Sequence, residues 1–268
     1  MSGPEMSILE HIDELRRRLV HIMIAVGAIT VFSFTFEIKE IMIRGVNIPF
    51  PYPDPFENLA NQALSRMEHD LLPSFVKVVQ TEPGQAISAQ LYFSFFLGIL
   101  LGMPVIVWEV AGFIGPALYP EERKRIIKVV IPATILFIAG SVFSYVYITP
   151  FTIDFLYRYG FGMVDVTFIT IDEFISFVLL FITAFGLSFE LPVIMWLLTV
   201  AGIVDVSFWR KNVRYVFVAL AIYGAAITPD GSGITMWFVA LPMFLLYVIA
   251  YFIIKRSVKT SKREGLIK

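Results

Sequence analysis

FISFVLLFITAFGLSFELPVIMWLLTVAGIV, residues Phe174–Val204, has Glu190 as its only ionisable group. An α-helix rises about 1.5 Å per residue, so a hydrocarbon core of roughly 30 Å takes about 20 apolar residues to cross. This stretch is long enough, and it sets the class of the chain. Working outward, the uncharged runs Val129–Ile153, Pro83–Trp108 and Leu19–Phe36 lie upstream, and Tyr215–Pro229 and Gly231–Ile254 lie downstream. Hydrophobic residues make up 57% of the 268, and charged residues 16%. A soluble domain carries about 25% charged residues. The expectation is an all-α polytopic membrane protein with six spans, at about 19–36, 84–108, 129–153, 172–198, 214–229 and 234–254. The fifth run is short, reaching roughly 22 Å.

Lys and Arg orient the spans. Six crossings put both termini on one side. That side collects sixteen of the 21 cations, in clusters at Arg16–Arg18, Arg123–Lys128, Arg210–Arg214 and from Lys255 onward. Lys39, Arg44, Arg66, Lys77 and Arg158 fall on the other. The excess marks the cytoplasmic face, so both termini are predicted to be cytoplasmic. Residues 1–254 then form a single membrane domain, 37–82 an extracytoplasmic cap loop, and 255–268 a basic cytoplasmic tail. No cleavable signal peptide is predicted, because the first 18 residues are charged and no clear small-residue cleavage site follows. The absence of cysteine removes disulfides, thiol catalysis and Cys-based metal sites.

Ser7-Ile8-Leu9-Glu10 has the capping-box pattern of a helix start. Ile8, Ile12, Leu15 and Leu19 follow at helical spacing. This predicts an amphipathic helix lying along the cytoplasmic surface and running into the first span. In the first outside loop, Pro49, Pro51, Pro53 and Pro55 forbid regular helix. Leu59, Ala63, Met67, Leu71 and Phe75 then make an apolar stripe, and a helix is expected from about Phe56 to Met67 or beyond. Pro104, Pro132, Pro150, Pro192 and Pro242 sit in or beside spans and predict kinked helices in a curved, concave arrangement.

Four stretches, in register with this topology, carry a resemblance. They are the run His11 to Leu19 (HIDELRRRL), Phe113 to Glu122 (FIGPALYPEE), Ala184 to Pro192 (AFGLSFELP), and Ile227-Thr228-Pro229-Asp230. Together they resemble TatC, the multispanning subunit of the twin-arginine, Sec-independent protein translocase. The resemblance covers about Ser7 to Ile254. It implies a receptor and core subunit that recognises twin-arginine signal peptides and exports folded proteins using the proton-motive force. Implied partners are TatA- and TatB-type single-span proteins, within a hetero-oligomeric complex in the cytoplasmic membrane. The implied protein is not an enzyme and needs no cofactor.

A twin-arginine motif presents two planar, permanent cations, each of which a carboxylate can hold bidentately. Glu14 and Glu122 match the family's recognition glutamates, with Glu121 and Glu109 as helpers. Phe113, Pro116 and Arg17 complete the candidate signal-peptide site. A bland reading stands beside this one. Glu14 and Arg18, like Asp13 and Arg17, are spaced i,i+4 and would support a helix by about 0.2–0.5 kcal/mol, and Glu121 and Glu122 would favour a helix start. Glu190 lies about 27 Å along the axis from Asp172. It is expected to be a protonatable or hydrogen-bonding group on the concave face, or else a snorkelling interfacial carboxylate. Thr228, Asp230 and Thr235 are candidates for partner contact near the outer surface, where Pro229-Asp230-Gly231 also reads as a turn. His11, His21 and His69 have no metal-ligand spacing, so no metal is expected.

A folded cargo of about 100 residues has a radius of gyration near 13 Å. A closed ring of six helices, each about 10 Å across, leaves a hole of only roughly 10 Å. The chain is therefore no conduit on its own. The short fifth run is expected to thin the bilayer locally. The alternative is a secondary transporter of a small solute or ion, which calls for a repeated half that this sequence lacks. An intramembrane protease needs paired catalytic residues inside spans, and here Asp154 and Asp230 fall at outer ends.

Overall fold

The computed structural model describes residues 8–43, 46–114, 129–160, 167–200, 202–228 and 233–263. The chain is mostly helical. Among the described residues, five helices are long and apolar enough to cross a membrane: Leu9–Thr35, Gln85–Phe113, Val130–Tyr159, Ile171–Val200 and Thr235–Ser257. The fifth uncharged run forms a shorter apolar helix, Val213–Ile227. Two compact units arise, one of Met1–Phe113 with Thr149–Leu179 and the other of Ile114–Ile148 with Leu180–Lys268.

In the first unit, α1 spans Ile8–Thr35 as one uninterrupted helix. The amphipathic start runs without interruption into the first span, since Glu-Leu-Arg-Arg-Arg-Leu offers no breaker between the charged start and the apolar run. Helix α1 passes directly into a hairpin of β1 (Phe36–Ile43) and β2 (Val46–Pro53). This hairpin was not expected. The prolines that exclude helix here occupy alternate positions, opposite Glu40, Ile38 and Phe36. Alternation turns all three sites that lack an N–H the same way, and an outer edge tolerates that. Asp54 then accepts from the backbone N–H of Phe56 (2.8 Å) and Glu57 (3.1 Å).

That turn delays the next helix to α2, Leu59–Leu71, three residues later than expected. Its N-cap is Asn58, whose Oδ1 accepts from Asn61 N–H at 2.9 Å. Asn58 is fully buried, and its Nδ2 donates to Pro55 O (3.1 Å) and Gln90 Oε1 (2.8 Å), which ties α2 to α3 (Gln85–Ile114). The buried stripe is Ala60, Leu64, Met67 and Leu71, so Leu59 and Ala63 of the expected stripe sit beside it. After Pro73, β3 (Val76–Val79) pairs in parallel with β4 (Thr167–Thr170), a second unexpected sheet.

The third long helix is composite: α4 (Val130–Phe143), a π segment (Ser144–Ile148) and α5 (Thr149–Gly160). Pro150 supplies no N–H to the turn before it, and the wider π turn lies just upstream. The fourth is also interrupted. Helix α6 (Ile171–Ser188) ends, Phe189 and Glu190 form a turn, and α7 (Leu191–Val200) follows. Helices α8 (Val206–Lys211), α9 (Val213–Ile227) and α10 (Thr235–Arg263) complete the second unit. Helix α10 therefore carries the first part of the basic tail as continuous helix. A buried core of Met195, Tyr247, Ala250 and Ile254 joins α7 to α10. Tyr247 donates to Trp209 O at 2.6 Å, and Trp209 Nε1 donates to Thr199 Oγ1 at 2.9 Å. Gly224 of α9 lets Met236 O approach to 2.6 Å of where a Cβ would stand.

Candidate functional site

In the first turns of α1 the apolar residues are not the packed face. Ile12, Leu15 and Leu19 are exposed, as lipid-facing residues of a span would be. A second stripe, His11, Glu14, Arg18 and His21, recurs at i, i+3, i+7 and i+10. This polar stripe faces the last turns of α3, where Glu109, Gly112 and Phe113 stand three and four residues apart.

Arg18 is the centre of the contact. Its Nε and one terminal nitrogen donate to Glu14 Oε1, at 3.0 and 2.6 Å. The other terminal nitrogen donates to Glu109 Oε2 at 3.0 Å and to the Glu109 backbone carbonyl at 3.4 Å. Glu109 Oε1 lies 3.0 Å from His21 Nδ1. The His11 ring stacks on Phe113 with centroids 4.4 Å apart. Side-chain exposure is 10% for Glu14, 14% for Glu109 and 16% for Arg18, so the charges are largely removed from solvent. Gly112 makes room for them: a Cβ there would overlap the Arg18 guanidinium. Glu14 Oε2 is buried and has no hydrogen-bond partner among the described residues. Two carboxylates thus share one guanidinium, and one oxygen has no partner among the described residues.

Of the sequence candidates, Glu14, Glu109 and Phe113 are brought together here. Arg17 is exposed on another face of α1 and, like Asp13, makes no ion pair among the described residues. Glu121, Glu122 and Pro116 lie outside the described residues, as does Asp230. Arg18, His21 and Gly112 belong to the cluster and were not among the candidates. The i,i+3,i+7,i+10 spacing of the polar residues was the available signal, masked by the stronger apolar period.

Glu190 sits in the second unit at the break between α6 and α7. Its carbonyl accepts Ile194 N–H at 3.0 Å, so it caps the first turn of α7. Pro192 lacks the N–H that would close on Ser188, and the helix opens there. Glu190 Oε1 is buried without a partner among the described residues. Close by in sequence, Ser188 Oγ and Tyr223 OH both donate to Ala184 O, at 2.7 and 3.0 Å. Thr228 is buried at the end of α9, its hydroxyl donating to Gly224 O at 3.0 Å, and Thr235 is buried at the first residue of α10.

This fold, with a buried charge cluster on its first long helix, defines a multi-span helical membrane protein. The chain belongs to the TatC family: the family model described as Sec-independent protein translocase protein (TatC) matches residues 10–242. A Sec-independent protein translocase protein TatC of Cenarchaeum symbiosum is 43% identical over 261 residues, covering 97% of this chain and 99% of its own. The chloroplastic TATC of Arabidopsis thaliana is 31% identical over 251 residues, covering 94% and 67%. A crystal structure of the twin arginine translocase receptor TatC superposes with a TM-score of 0.75 at 28% identity, covering 91% of this chain and 99% of that one.

Proposed function

We propose that this chain is the signal-recognising core subunit of a twin-arginine translocase. It crosses the cytoplasmic membrane six times as one functional domain, with both termini in the cytoplasm. It receives folded precursors whose signal peptides carry paired arginines. TatA- and TatB-type single-span proteins assemble with it, and the proton-motive force drives export. Glu14 and Glu122 receive the two guanidinium groups. Glu109 and Glu121 assist, and Phe113, Pro116 and Arg17 shape the entry. Glu190, Thr228, Asp230 and Thr235 contact the signal peptide or a partner helix.

The observation that carries this reading is the charge balance around Arg18. Glu14 and Glu109 converge on a single guanidinium, leaving an excess of carboxylate in a largely dry setting. Such a setting favours one further cation, and a planar guanidinium matches carboxylate geometry better than an ammonium does. The fold match to a protein described as a twin arginine translocase receptor agrees with it.

The test is photocrosslinking from positions 14, 122 and 190 to a precursor carrying Arg-Arg or Lys-Lys. Contact from positions 14 and 122 that requires the arginine pair is the expected result. Equal crosslinking to both precursors would refute the reading. Glu14→Ala and Glu122→Ala should each abolish export of a twin-arginine reporter while the protein stays inserted.

A further inference from the structure

We infer that Arg18 is a built-in guanidinium that occupies the Glu14 carboxylate in the empty receptor, and that a ligand arginine must exchange with it. This rests on the proposed role of Glu14. Glu14 and Glu109 present four carboxylate oxygens at this contact. Glu14 Oε1 takes two N–H bonds from Arg18. Glu109 Oε2 takes another, and Glu109 Oε1 is at hydrogen-bond distance from His21. The fourth, Glu14 Oε2, is buried and has no partner among the described residues. An incoming guanidinium therefore finds three oxygens taken and the last out of reach. Bidentate capture of Glu14 needs both of its oxygens, which requires Arg18 to leave Oε1.

Arg18 is able to leave. Its guanidinium is the far end of a flexible side chain, seated in the space that Gly112 leaves open. Exchange replaces one planar cation by another of the same geometry. The orphaned oxygen gains a partner in the process, which favours the ligand-bound arrangement. Arg18 thus sets the threshold for recognition: a ligand cation displaces it only by bonding Glu14 at least as well. A lysine ammonium, a point charge without the fork, competes less well. The intramolecular arginine is a selectivity filter as well as a placeholder.

The experiment measures binding of labelled signal peptides, Arg-Arg and Lys-Lys, to the full-length chain in nanodiscs. Arg18→Gln removes the competitor. Gly112→Ala keeps every charge, and its methyl drives the Arg18 guanidinium off the pair. Both variants should bind the Arg-Arg peptide about tenfold more tightly than wild type, with the preference over Lys-Lys reduced. Weaker or unchanged binding in Gly112→Ala would overturn the inference, since Arg18 would then be holding Glu14 in place for the ligand. Gly112→Ala also decides the matter if Arg18→Gln fails to fold. Failure of the underlying receptor reading has a separate signature: Glu14→Gln would leave Arg-Arg binding unchanged with Arg18 intact.

Discussion

Pro192 stands two residues beyond Glu190 and withholds the N–H that would have bonded the Ser188 carbonyl, so the fourth long helix opens where its only carboxylate after Glu173 sits. Ser188 Oγ donates to Ala184 O on the turn before. The break and the carboxylate coincide: Glu190 accepts the first bond of α7 through its backbone carbonyl, while its buried Oε1 has no partner among the described residues. Pro192→Ala should restore the missing bond and raise thermal stability in detergent, by up to about 3 kcal/mol. It should lower reporter export, and Glu190→Ala should do the same. Full export by Pro192→Ala would show that the break itself is dispensable.

Glu109 has two side-chain partners of very different burial. Arg18 is 16% exposed and His21 52%. Truncating the exposed partner forfeits little, since water replaces it. Removing the carboxylate leaves the guanidinium short of an acceptor in a dry site. Glu109→Ala should therefore cost about 1–3 kcal/mol, and His21→Ala under about 1 kcal/mol. Thermal unfolding of both variants in the same detergent checks the order. Equal losses would mean that the imidazole, not the guanidinium, is the partner that matters.

The long helices were legible because a bilayer imposes length and apolarity on every span, and Phe174–Val204 or Pro83–Trp108 have no other use for such composition. Interruptions within them were less so. Pro150 and Pro192 mark where an N–H is missing, but whether the helix widens into a π turn or breaks depends on local bonds such as Ser188 to Ala184. The hairpin is not legible in the sequence because Pro49, Pro51 and Pro53 read as helix breakers, whereas their alternation is compatible with an edge strand. Part of the candidate site was readable from type and spacing, as Glu14 and Arg18 illustrate. Gly112 was not, since its role is the absence of a side chain opposite a residue 94 positions earlier.

Asp54 makes the turn before α2 sensitive to pH. The backbone N–H groups of Phe56 and then Glu57 hold its carboxyl below the usual aspartate range, with Lys39 adding a smaller pull. A depressed carboxyl stabilises above its unfolded value and loses that contribution as pH falls through the folded one. Protection of the Phe56 and Glu57 amides from hydrogen exchange, corrected for intrinsic rates, should thus hold above the ordinary aspartate value of about 3.9 and be lost as pH falls below it. Asp54→Asn keeps an acceptor oxygen and removes the titration, so its protection should be flat over that range. A flat wild-type profile would place the turn's stability elsewhere.

Gly27 and Gly140 make opposite predictions from the same substitution. Both lie inside long helices, where glycine costs about 1 kcal/mol relative to alanine. A Cβ on Gly27 meets nothing within 4 Å. A Cβ on Gly140 would stand 2.6 Å from Phe189 Cγ and 2.7 Å from the Phe185 carbonyl, and the latter is backbone that cannot swing aside. Phe143 also packs against the rings of Phe185 and Phe189, which closes the route by which Phe189 would yield. Gly27→Ala should raise stability by up to about 1 kcal/mol, and Gly140→Ala should lower it by about 1–3 kcal/mol. Thermal shifts of opposite sign are the expected result. A Gly140→Ala protein as stable as wild type would mean that α4 and α6 do not approach as closely as the Phe185 carbonyl requires.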